Sequence, residues 1–139
     1  MALVSRSPLS GRFLFAVLAL GALGALGACG SDSLSPFQPQ ISNPSDNYQL
    51  QATDVTNVTT TVTNAWVNTG TRATINHSTT TTAGSTLLVI KDASGATVYS
   101  KALSPSLNEP TLVGQAGTWS IQLTLTKYSG TLNFRAQKL

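Results

Sequence analysis

The chain has 139 residues, of which 41% are apolar, 6% aromatic and only 9% charged. That composition excludes a polyampholyte tail and a coiled coil, and the length limits the chain to one modest domain. The formal charge is +3, but two of the eight basic residues, Arg6 and Arg12, stand ahead of an uncharged N-terminal run. Beyond that run six basic residues face five acidic ones, and a balance of +1 removes the case for a nucleic-acid partner.

The uncharged run, Phe13 to Ala28, is 16 residues long. A short basic segment, an apolar stretch and small residues at its end are the layout of a secretory signal. The stretch is shorter than the roughly 20 residues a spanning helix needs, and Gly21, Gly24 and Gly27 weaken it further. It closes on Leu26-Gly27-Ala28-Cys29, which resembles the bacterial lipobox at all four positions. Small residues before the Cys let a peptidase cleft close on extended backbone, and the thiol is the group that carries the thioether. The resemblance implies lipidation of Cys29, removal of residues 1–28 and a mature protein of 111 residues held at a membrane by its acyl chains. Each buried methylene adds about 0.8 kcal/mol, and more than one chain makes such an anchor stable. Gly30, rather than Asp, follows the Cys, which under the same resemblance implies the outer membrane of a bacterial cell envelope. Cys29 is the only Cys, so no disulfide is expected.

Residues 29–47 then read as the lipidated Cys and a flexible tether rich in Ser, Pro, Asn and Asp. Extended, its roughly 18 residues reach on the order of 55 Å at about 3.1 Å each.

From Tyr48 to Leu139 the pattern is period-2 alternation rich in Thr and Val. Tyr48, Leu50 and Ala52 alternate with Gln49 and Gln51. Val58, Val62 and Trp66 share a face of a Thr-rich stretch that ends at Asn68-Thr69-Gly70. Ala73 and Ile75 alternate with Arg72, Thr74 and Asn76, and Thr79 to Gly84 reads as a polar link. Leu87-Leu88-Val89-Ile90 predicts a strand covered on both sides. Lys91 to Gly95 is a turn, Ala96 to Leu103 a return strand, and Ser104 to Pro110 a linker. Trp119, Ile121, Leu123 and Leu125 point inward; Lys127 to Gly130 reads as a turn; Leu132, Phe134 and Ala136 point inward on a last strand paired with the one before it. Seven or eight short strands without a credible helix predict an all-β, antiparallel, jelly-roll-like β-sandwich.

Leu88 to Tyr99, Ala116 to Leu123 and Gly130 to Phe134 resemble, in order, the second half of the bacterial pre-peptidase C-terminal type of β-sandwich. The resemblance covers roughly Thr86 to Gln137 and implies the fold. Members of that family accompany secreted enzymes, whereas no catalytic domain accompanies these 139 residues, so an independent lipoprotein module is expected.

Chemistry-bearing residues are few. Beyond residue 28 there are one His, one Glu and four Asp. His77 lies on the Ala73 and Ile75 face and reads as a structural residue at a strand end; Ser78, its neighbour, points the other way and cannot complete a triad. Asp92 and Asp54 read as turn residues whose carboxylates cap backbone N–H groups, while Asp32, Asp46 and Glu109 read as solvated. No enzyme, metal site or cofactor is expected. Trp66, Trp119 and Phe134 read as core, which leaves Tyr99 and Tyr128 as the exposed rings that could contact a ligand. The expectation is therefore a non-catalytic structural or binding module of the cell envelope, its partner an envelope protein or a glycan; the alternative is a carbohydrate-binding accessory module.

Overall fold

The computed structural model describes residues 32–139. The signal segment and the lipobox Cys29 lie outside the described residues. A 3₁₀ turn, Ser35–Phe37, precedes seven strands: β1 (Gln40–Ser42), β2 (Asn47–Asn68), β3 (Ala73–His77), β4 (Thr80–Lys91), β5 (Thr97–Lys101), β6 (Leu107–Pro110) and β7 (Gly117–Lys138). All pairings are antiparallel. The fold is an all-β sandwich-like arrangement, as the alternation predicts.

Its frame is the pair β2 and β7, each 22 residues long. They pair from Asn47 opposite Gln137 to Asn68 opposite Gly117, with register shifts between Ala52 and Thr60. Backbone φ turns positive in this region at Asp54 (53°), Asn57 (50°) and Lys127 (47°). Each such position inserts a residue into the ladder, and a bulge bends its strand and sharpens the twist. The bend is large: the Asn64 side-chain amide donates to the Tyr48 hydroxyl at 3.1 Å. In a straight strand residues 16 apart would be separated by roughly 50 Å, so β2 folds back over itself.

Two layers result. The first contains β1, the N-terminal half of β2, the C-terminal half of β7, β3 and β6; the second contains the other halves of β2 and β7 with β4 and β5. Between them lie Trp66, Trp119, Tyr48, Tyr128, Phe134, Leu50, Ile75, Leu88, Ile90 and Ile121, all fully buried. β-branched residues recur along β2 and β4, where their stiff χ1 suits a pleated, half-buried surface.

Several expectations are corrected. The flexible tether ends early: Leu34 is buried, and β1 is hydrogen-bonded along β2. Lys127 to Gly130 is no hairpin turn, because β7 runs through it and its two halves lie in different layers. Thr79 to Gly84 is largely the start of β4, and Ser104 to Pro110 contains β6, paired with β3. The apolar run in β4 is covered on one side only, with Leu87 43% exposed. Asp46 remains partly exposed but is not free: its carboxylate accepts from the Thr69 N–H at 2.7 Å, the Thr69 hydroxyl at 2.9 Å and the Lys138 ammonium at 2.9 Å, which ties the ends of β2 and β7 together.

Asp92 occupies the turn as expected. Its Oδ1 accepts from the N–H groups of Ser94 and Ala96, both at 2.9 Å, and Oδ2 accepts from the Gln115 N–H at 2.7 Å. These bonds, with that of the Ser94 hydroxyl, hold its carboxyl below the usual carboxylate range. Asp54 differs: it is exposed and sits at a bulge with positive φ, where its backbone carbonyl, not its carboxylate, accepts from Thr56.

Candidate functional site

The two tyrosines expected as exposed ligand contacts are both buried. Tyr128 is 0% exposed and its hydroxyl donates to the Thr80 carbonyl at 3.0 Å. The sequence places it beside a turn, but the bulge at Lys127 shifts the alternation by one residue, so after Leu125 the next inward side chain is Tyr128. Tyr99 is 6% exposed, its ring packed against His77 of β3 in the first layer. No pair of exposed rings is formed by these residues.

Tyr99 instead meets His77 between the layers. The rings pack edge to face at 5.9 Å, and the Tyr99 hydroxyl lies 3.1 Å from His77 Nε2. Nδ1 lies 3.4 Å from the Ser104 hydroxyl, at the long end of hydrogen bonding. Glu109, on β6, stands beside this pair and takes the Lys101 ammonium between its oxygens, at 2.6 and 2.7 Å. Glu109 is therefore an ion-pair partner and not a solvated linker residue. Burial lowers the His77 pKa below its ordinary value, Glu109 partly opposes the shift, and Lys101 adds to it. Burial and then Glu109 push the Tyr99 phenol well up, and Lys101 holds the Glu109 carboxyl down. With the imidazole 2% exposed and both nitrogens engaged, the cluster joins β3 and β5 across the core. Among the described residues, no three His, Cys, Asp or Glu side chains come together in a metal-ligand group.

The surface that does converge is the outer face of the first layer. Gln49 on β2 stands opposite Arg135 on β7, Arg135 opposite Asn76 on β3, and Asn76 opposite Asn108 on β6. One polar row thus crosses four adjacent strands, a span of about 14 Å at the usual strand spacing. Asn133 and Gln137 flank Arg135 two residues away on β7, on the same face. The Arg135 guanidinium donates to Gln49 Oε1 at 3.3 Å, and the Gln49 amide donates to Asn133 Oδ1 at 3.5 Å. These side chains line a concavity of about 410 Å³ whose wall contains Arg135 and Lys138 but no carboxylate. Lys138 is already paired with Asp46, so the uncompensated charge is that of Arg135.

The alternation identifies each of these residues as outward-facing, yet it does not bring them together. The available signal is a difference in side-chain type. The outward positions of β3 and of the first-layer parts of β2 and β7 are richer in carboxamides, with Gln49, Gln51, Asn76, Asn133 and Gln137 beside Thr53, Thr74, Thr131 and Arg135, whereas the second-layer parts carry mainly hydroxyls, with Thr61, Thr63, Ser120, Thr124 and Thr126 beside Gln122.

Compared with family models, with curated proteins and with solved structures, the chain matches none of them.

Proposed function

We propose that this protein is a lipid-anchored, non-catalytic binding module of the bacterial cell envelope, exported by its N-terminal signal and held at the outer membrane through Cys29. The observation that carries the binding role is the concave, carboxamide-lined face on the first layer. Amide groups donate and accept at once, so a row of them offers hydrogen bonds to a polar partner without chemistry of its own. The enclosure of His77 by Tyr99 and Ser104 supports the non-catalytic part of the reading, since a general acid or base must reach the proton it transfers.

The seating of Leu34 supports a particular geometry of attachment. Residues 30–33 are all that separates Cys29 from a buried side chain, so at about 3.5 Å per residue the domain sits within roughly 20 Å of its anchor. β1 starts beside Gln51, near the bulges, and so the bulged end of the sandwich faces the bilayer.

Metabolic labelling with a fatty-acid analogue, followed by membrane fractionation, tests the reading. The wild-type chain is expected to carry label and to sediment with membranes, and Cys29→Ala to lose both. Unchanged labelling of Cys29→Ala overturns it.

A carbohydrate-binding role is the second reading, favoured by one observation: the exposed face offers amides in a row, although its rings are buried.

A further inference from the structure

We propose that the row Gln49, Arg135, Asn76 and Asn108 binds an anionic polysaccharide. The inference rests on the binding-module reading and names its ligand.

Three observations converge on that chemistry. First, the row runs without a break across four adjacent strands, so it suits an extended chain laid over the sheet better than a compact molecule held in a pocket. Second, its neutral members are carboxamides. A sugar hydroxyl both donates and accepts, and among neutral side chains the carboxamide matches it with two donors and an acceptor on one rigid plane. Asn133 and Gln137 extend the same lattice along β7.

Third, Arg135 stands inside the row, not at its edge. One guanidinium donor engages Gln49, and no carboxylate lines the concavity to pair with the others. A planar fork so placed matches a carboxylate or a sulfate ester borne by the chain, each able to accept two parallel N–H bonds. No aromatic ring lines the concavity. Affinity therefore comes from hydrogen bonds and charge and not from stacking, which makes it sensitive to salt and dependent on repeated contacts along a polymer.

The test uses the full chain purified from detergent-solubilised whole cells, and affinity electrophoresis against polygalacturonate, dextran sulfate and neutral dextran. Retardation by one or both acidic polymers, weakened by added salt and absent with neutral dextran, is expected; whether polygalacturonate, dextran sulfate or both retard the protein identifies the anionic group. Arg135→Gln should weaken retardation by roughly tenfold, the loss of one charge-assisted contact, and Asn76→Ala by a smaller factor. Thr124→Ala, on the other outer face, should leave it unchanged. These side chains are at the surface, and an unaltered unfolding midpoint separates lost binding from lost folding. Failure of both acidic polymers to retard the protein, equal retardation by neutral dextran, or an Arg135→Gln variant that binds like wild type overturns the proposal. Labelling at Cys29 is independent of this measurement, so the anchor can stand while the glycan site falls, or the reverse.

Discussion

Trp66 and Trp119 stand directly opposite each other on the β2–β7 ladder and pack edge to face, with centroids 5.7 Å apart and planes at 86°. The pair is unequal in its polar contacts. The Trp119 indole donates to the Gln115 carbonyl at 2.7 Å, whereas the buried Trp66 Nε1 has no hydrogen-bond partner among the described residues. Edge-to-face contact directs the positive rim of one ring at the negative face of the other, which adds to the burial of both.

Replacing each Trp by Phe separates these contributions. Both substitutions remove comparable ring volume from the core, but only Trp119→Phe also breaks a hydrogen bond. Trp119→Phe should therefore destabilise the fold by about 1 kcal/mol more than Trp66→Phe, the net worth of a neutral hydrogen bond. Urea unfolding of the two variants measures the difference; equal midpoints would remove the asymmetry.

His77 predicts an acid sensitivity with a defined window. Its folded pKa lies below the ordinary value of 6.5 because burial penalises the imidazolium. Below pH 6.5 the unfolded chain binds a proton that the folded chain does not, so stability is complete above that pH and falls as the pH drops toward the folded value. Asp46, Asp92 and Glu109 have lowered pKa values starting from 3.8, 3.8 and 4.5, so they lose their contributions only in more acidic solution. The urea midpoint should accordingly fall between pH 7.5 and 5.5 in the wild-type chain. His77→Gln, which cannot titrate, should flatten the profile over that interval.

The bend is predicted to depend on Gly130. Its φ is +143°, and an added Cβ would meet the Thr80 carbonyl across the β4–β7 ladder. Gly130→Ala therefore combines backbone strain with a clash against fixed main chain, and about 2 kcal/mol or more is expected. Gly95, in the turn after β4, has φ +86° but open space around its Cβ position. Gly95→Ala should cost only about 1 to 2 kcal/mol, from the backbone alone. Thermal unfolding that ranked the two the other way would show that the close approach of β4 does not govern the cost.

The sequence by itself determined the class of fold and many of the occupants of the core. Alternation assigns Trp119, Ile121, Leu123, Leu125, Leu132, Phe134 and Ala136 inward, and all are buried, because a side-chain period of two leaves a half-covered strand little choice. It also marked Asp92 as a turn residue, since a carboxylate two residues before a receptive N–H is a local matter.

What it could not distinguish was a turn from a bulge. The inward parity changes between Leu125 and Leu132, and a hairpin at Lys127 explains that change as well as one extra residue in an unbroken strand does. Only pairing with β2 and β4 decides, and those partners are distant in sequence. The choice carried Tyr128 into the core, folded β2 and β7 across both layers, and aligned Gln49, Arg135, Asn76 and Asn108 into one row. A functional face assembled from four strands depends on register, and register is a property of the packed sheet.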